Sequence, residues 1–234
     1  MSKTKPTYHI GLCMAGAISA GAYTAGVMDY LFEALDNWEK AKRGELPGVD
    51  KNSVPQHDVI IDVMGGASAG GITSGLGALA AYTNFKPVTL GLPAAEKIKT
   101  QQANLFYNTW VNLTEKEGND MFTQILNPED LLGGNIYSLL NAGFIEEIAA
   151  NTVKPIQNDN NNGDSENNNF KRGYINDEMQ LIVTLTNLNG IPYQINFLSD
   201  STNQNPQYVY NYRDFGHFIL NPSDMYVFKP KCTF

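Results

Sequence analysis

Basic charge is scarce in this chain: 16 Lys and Arg stand against 24 Asp and Glu, a net charge of −8 over 234 residues. A nucleic-acid partner is therefore excluded, because phosphate backbones demand a basic face. The same deficit gives no attraction to anionic membranes, so any peripheral membrane contact has to be apolar and local. Cysteine is limited to Cys13 and Cys232, too few for a disulfide scaffold. Cys13 lies in an apolar run and is expected to be a reduced, buried thiol. No apolar run approaches the length of a transmembrane helix. Lys3 and Lys5 before Ile10 to Ala17 imitate a signal peptide, but the run is short and Pro6, Thr7 and His9 interrupt its approach. A cytoplasmic, reducing location is expected. Histidine is nearly absent too, with only His9, His57 and His217, and no His/Cys/Asp/Glu cluster has metal-ligand spacing. No metal or other cofactor is implied.

What is present begins with Gly66-Ala67-Ser68-Ala69-Gly70, a G-x-S-x-G pentapeptide. Alone it is weak evidence; its flanks give it meaning. Val59 to Met64 is β-branched and apolar, and reads as a buried strand. Gly71 to Tyr82 is rich in small residues and reads as a helix packed closely on a sheet. A serine between strand and helix sits on a sharp elbow, with Gly66 and Gly70 letting neighbouring backbone pass. The elbow lifts the hydroxyl out of the sheet and aims a helix N-terminus at any oxyanion formed there. The ordinary alternative is a glycine-rich turn whose serine merely caps the helix. Two nucleotide readings fail. Ile72 stands where a P-loop needs lysine, and the Gly75-Leu76-Gly77 run lies inside the helix instead of at its mouth.

A hydrophobic content of 42% is enough for one substantial core, and a single domain over 1–234 is expected. Tyr8 to Met14 reads as a first buried strand, followed by a small-residue loop and a helix. Val27, Leu31, Ala34, Leu35 and Trp38 mark the apolar face of that helix; Asp29, Glu33, Asp36 and Glu39 mark the other. Strand–loop–helix followed by strand–elbow–helix is an alternating α/β pattern with a parallel sheet. Helices are expected over Ala95 to Leu113 and Ile136 to Ala150, with their aromatics in the core or in a lid. Gln157 to Asn169 has almost no apolar residue and reads as a disordered loop. Leu181 to Thr186 is a strand, Asn189-Gly190 a tight hairpin turn, and Tyr193 to Leu198 the returning strand. From Ser199 onward the chain is polar and Tyr-rich without firm periodicity.

A serine needs a base. His9 and His57 should lie at the N-terminal edge of the sheet, away from the elbow. His217, with Asp200 and Asp214 between it and the serine, leaves a Ser…Asp…His order formally open for a Ser-His-Asp esterase. The other option is an aspartate acting directly on serine, its pKa raised by burial.

Gly11 to Ala22 and Gly66 to Gly71 together resemble the patatin-like phospholipases. Asn104 to Val111 resembles a segment of the bacterial patatin-related branch, and Leu181 to Phe197 the later part of that domain. The resemblance implies a three-layer α/β/α sandwich with a mainly parallel central sheet, and a serine–aspartate dyad that hydrolyses lipid acyl esters. It places the nucleophile at Ser68, and oxyanion-hole N–H groups at about Gly16, Ala17 and Ile18. Two glycines of the family's loop are replaced here, and Ala20 stands where the family usually has arginine. The family's aspartate sits in an Asp-Gly-Gly or Asp-Gly-Ala turn, yet no Asp-Gly dipeptide occurs in this sequence. The resemblance therefore implies a domain incomplete at its C-terminus, or a degenerate, inactive lipid-binding homologue.

Overall fold

The computed structural model describes residues 5–17, 21–111, 121–133, 141, 143, 150, 170–195 and 207–221. They form a mixed α/β fold on one open four-stranded sheet, ordered β1-β2-β3-β4. β1 (Thr7–Met14) and β2 (Asp58–Gly66) are parallel, as are β2 and β3 (Ile175–Ile195). β4 (Gln207–Leu220) runs antiparallel to β3. The alternating α/β reading holds at this level.

Helix α1 (Gly21–Arg43) joins β1 to β2, and α2 (Ala69–Ala81) leaves β2. Both crossovers step the same way across the sheet, so connections of the usual right hand lie on one face. There the two helices touch. A Cβ on Gly77 of α2 would lie 2.9 Å from the Met64 sulfur of β2 and 3.0 Å from the Met28 methyl of α1. Ile61, Met64, Met179 and Leu181 of the sheet and Ala25, Met28, Phe32 and Leu35 of α1 are buried in this core.

Several sequence expectations change. β1 is an edge strand whose residues are mostly exposed, and Cys13 is exposed on it. The period-two pattern identifies a strand but cannot tell whether both faces are covered. The buried stripe of α1 is turned from the expected one: Val27 is exposed, whereas Asp29 is buried. Asp29 is accommodated because Asn104 Nδ2 (2.6 Å) and the Val88 N–H (2.9 Å) donate to its carboxylate.

The helix expected over Ala95 to Leu113 is broken into α3 (Ala94–Ala103) and α4 (Leu105–Trp110). Asn104 ends one and caps the other by accepting from the Tyr107 N–H at 2.8 Å. Leu105, Phe106 and Trp110 belong to the core, not to a lid, while Ile98 is exposed. A short α5 (Met121–Ile125) follows.

Asn189-Gly190 makes no hairpin turn. β3 runs through it, and between the pairs Thr186–Arg213 and Ile191–Asn211 four residues of β3 stand against one of β4, Tyr212. Gly190, at φ 69°, serves a bulge instead. The partner strand is β4, drawn from the Tyr-rich region that showed no periodicity. Both the helix expected over 136–150 and the Asn-rich loop over 157–169 lie outside the described residues, apart from isolated positions of the former.

Arg172 anchors the far end of this core. It donates to the carbonyls of Ala80 (3.1 Å), Phe85 (2.9 Å) and Thr83 (3.4 Å) and pairs with Asp36. The Tyr174 hydroxyl donates to the same carboxylate at 2.9 Å. The Ala80 carbonyl in the last turn of α2, and those of Thr83 and Phe85 just beyond the helix, thus receive a charged donor where a helix end leaves carbonyls unpaired.

Candidate active site

Ser68 lies between β2 and α2 with φ 52° and ψ −124°. Among the described residues it is the one non-glycine residue at positive φ. Such a conformation costs about 1–3 kcal/mol and persists only where the surroundings impose it. The surroundings here are backbone. A Cβ on Gly70 would lie 2.2 Å from the Met14 carbonyl oxygen, and one on Gly66 would lie 2.5–2.6 Å from the Gly70 carbonyl group and 2.6 Å from that same oxygen. Both glycines of the pentapeptide are therefore required sterically: the end of β1 passes directly against the elbow. The Ala67 N–H ties them together by donating to the Met14 carbonyl at 3.3 Å.

Capping does not explain the serine. Its hydroxyl makes no capping bond to α2, and its side chain is exposed. The first turn of α2 instead uses backbone carbonyls, with Gly70 N–H donating to Ala67 (2.9 Å) and Ile72 N–H to Ser68 (3.1 Å). Deeper in α2, Thr73 and Ser74 are buried and back-bond to the carbonyls of Ala69 (2.9 Å) and Gly70 (2.7 Å). Among the described residues, Ser68 is the exposed hydroxyl at this helix mouth.

The first glycine-rich loop reaches the same point. A Cβ on Gly16 would sit 3.1 Å from the Ser68 Cβ and 3.3 Å from the Ala67 carbonyl oxygen. Gly16 is exposed and Ala17 partly so; Ile18 lies outside the described residues. The structure thus sets Gly16 beside Ser68, from segments about fifty positions apart.

None of the three histidines bonds to Ser68 among the described residues. His9 sits within β1, and its Nδ1 lies 2.9 Å from an Asp62 carboxylate oxygen. Asn176 Nδ2 donates to Asp62 at 2.6 Å. Burial pushes the Asp62 carboxyl up, but the bonds from Asn176 and His9 outweigh it and hold it below its ordinary value. This His–Asp pair lies four residues before Gly66, roughly 13 Å back along an extended strand. His57 is packed edge-on between Tyr8 and Trp38, also at the N-terminal end. His217 sits on β4 opposite Ile182, two strands from the elbow, with its Nε2 3.0 Å from Gln180 Oε1. Asp214 Oδ1 accepts from the Phe215 N–H at 2.8 Å, and Asp200 lies outside the described residues.

A cavity of about 780 Å³, lined by Asp36, Lys40, Tyr82, Lys86 and Lys99 among others, opens at the C-terminal end of α2. It is at the opposite end of that helix from Ser68. Among the described residues no group of three or more His, Cys, Asp or Glu is placed to hold a metal ion. No helix among them is long and apolar enough to cross a membrane.

No protein-family model matches the chain, and no solved structure matches it. The chain is similar to an uncharacterized protein, y4iI, of Sinorhizobium fredii (strain NBRC 101917 / NGR234), at 38% identity over 197 residues. The match takes in 83% of this chain but only 26% of that protein, so the chain spans about a quarter of the length of the relative it matches.

Proposed function

We propose that the chain carries the nucleophile half of a patatin-like lipid acyl hydrolase, with Ser68 as the attacking residue. The observation that carries this reading is the backbone of Ser68: a strained, exposed serine at φ 52° between strand and helix. A cap or a plain turn gains nothing from that strain, whereas a nucleophile does. The reaction would begin with Ser68 Oγ attacking an ester carbonyl while a base removes its proton. The oxyanion would be held by backbone N–H groups about Gly16 and Ala17, beside the N-terminus of α2, with the Ile18 N–H as the third donor that the resemblance implies. Collapse expels the alcohol, which takes up the proton, and water then releases the acyl group from Ser68.

The base in this reading would be an aspartate that a longer polypeptide supplies; the relative y4iI, of which the match takes in 26%, is such a longer chain. The same additional chain would cover the sheet face that lacks a described helix and complete a three-layer sandwich. A Ser–His–Asp mechanism through His217 is disfavoured by its engagement with Gln180.

An organophosphonate probe tests the assignment, because it needs only a reachable hydroxyl and an oxyanion site. Intact mass should show one adduct on the wild type and on His217→Ala, and none on Ser68→Ala. Ester turnover should be near background for the 234-residue chain and appear in a longer polypeptide bearing an Asp-Gly turn. Adduct formation on folded Ser68→Ala at the wild-type rate overturns the nucleophile assignment; loss of the adduct in folded His217→Ala restores the triad.

A further inference from the structure

β2 ends at Gly66, which pairs with Val183 of β3. β3 does not end there. It continues to Ile195, paired with β4 from Phe215 back to Gln207, as a two-stranded ribbon. The nine residues of β4 from Phe215 to Gln207, at about 3.3 Å each, carry the ribbon roughly 30 Å past the sheet, the extra residues of β3 being taken up in the bulge. It departs at the elbow's end of the sheet: a Cβ on Gly71, in the first turn of α2, would lie 3.9 Å from a Val183 methyl.

The composition of this ribbon is unlike the rest of the chain. Residues 184–195 hold no charged side chain, and 207–215 hold only Arg213 and Asp214, so the ribbon is neutral in a protein of net charge −8. Leu188 is 88% exposed, and Tyr193, Tyr208, Tyr210, Tyr212 and Phe215 are each 52–57% exposed. The register places Tyr193 with Val209 on one face, and Tyr208 with Tyr210 on the other. Both faces of the ribbon carry exposed rings.

We infer that the β3–β4 ribbon is a lipid-surface docking arm that brings a neutral or zwitterionic lipid–water interface to Ser68. The inference rests on the acyl-hydrolase reading for the identity of the substrate, though not for the docking itself. Tyrosine suits the headgroup level, with its ring among acyl carbons and its hydroxyl among water and esters. An interface surrounds an inserted ribbon, which satisfies both faces at once. Charge selects the surface: the ribbon has no excess cation for anionic lipid, and the acidic remainder is repelled by it. The edges of the ribbon still hydrogen-bond to headgroups and water, so it lies at the interface and does not span the bilayer.

Flotation with phosphatidylcholine vesicles tests the arm, using the wild type, the triple variant Tyr208→Ser/Tyr210→Ser/Tyr212→Ser and the single variant Leu188→Ser. Expected is measurable wild-type partition, weakened by admixed phosphatidylglycerol and reduced at least about tenfold in the triple variant, with a smaller loss for Leu188→Ser. Labelling of Ser68 by a water-soluble phosphonate should stay within about twofold, since the arm acts on surfaces and not on the monomeric reagent. Partition unchanged in both variants overturns the inference. So does tighter binding to phosphatidylglycerol, or a wild-type oligomer that the triple variant dissolves without any vesicle binding. Vesicle binding without Ser68 labelling would leave the arm and remove the hydrolase; labelling without vesicle binding would do the reverse.

Discussion

One substitution made twice in the same helix should change stability in opposite directions. A methyl group on Gly70 would meet the Met14 carbonyl oxygen at 2.2 Å, its carbon at 2.5 Å and the Ala15 carbonyl oxygen at 2.8 Å. Ordinary contact begins near 3.4 Å, so β1 and the elbow would have to part by about 1.2 Å. All three opposing atoms are backbone and no rotamer change relieves them. Separation would also break the Ala67 N–H bond to Met14. Alanine gains about 1 kcal/mol of helix propensity, against overpacking and a lost bond of about 3–5 kcal/mol together. The net loss for Gly70→Ala is then about 2–4 kcal/mol, or a fall in Tm of roughly 5–15 °C for a chain of this size. Gly75, one turn further on, has nothing within 4 Å of its Cβ position. Gly75→Ala should therefore stabilise by about 0.5–1 kcal/mol and raise Tm by a few degrees. Thermal melts by circular dichroism, repeated as urea titrations, measure both. If Gly70→Ala melts within about 2 °C of the wild type, or the two variants shift the same way, the close approach of β1 to the elbow is wrong.

Three further outcomes follow from the same geometry. Ser68→Gly should raise stability by about 1 kcal/mol while eliminating phosphonate labelling, because glycine adopts φ 52° without strain; a destabilised variant would show that the serine is not strained. Arg172→Met should cost about 2–4 kcal/mol in urea unfolding, since it removes a buried donor from three carbonyls and leaves the half-buried Asp36 with Tyr174 as its remaining partner; a loss under 1 kcal/mol on that scale would show that the clamp is solvated. Burial raises the Asp29 carboxyl above its ordinary 3.8, and the bonds from Asn104 and Val88 only partly offset this. The native state then holds the proton more tightly than the unfolded chain, so this group's contribution is greatest below pH 3.8 and declines as pH rises toward the native pKa. Asp29→Asn should flatten the part of the stability profile that falls as pH rises above 3.8; an unchanged slope would assign it to another group.

The two strand–loop–helix units were legible because their signals are local. A short β-branched run, glycines at fixed offsets and a small-residue helix together specify an elbow without knowledge of what lies across from it. The helical stripe of α1 was legible as a period but not as a direction, since Asp29 is admitted to the core by Asn104, seventy-five residues away. Asn189-Gly190 shows the same limit. The dipeptide supplies a positive φ that a hairpin and a bulge use equally, and the choice fell to β4, whose pairing with β3 extends on both sides of it.

The sequence by itself thus determined the order of strands and helices around Ser68 and marked positions 66 and 70 as the glycines of an elbow, because strand, turn and helix signals act over short stretches of chain. Only the tertiary structure decided what those glycines accommodate, namely the Met14 carbonyl arriving from fifty residues earlier. It decided likewise that Gly16 lies beside the nucleophile, that His217 is held by Gln180 and that His9 pairs with Asp62. It also decided that a Tyr-rich stretch without periodicity becomes a ribbon. Such placements depend on which strands pair and in which register. Those free energies are summed over many weak, distant contacts, and no short window of sequence records them.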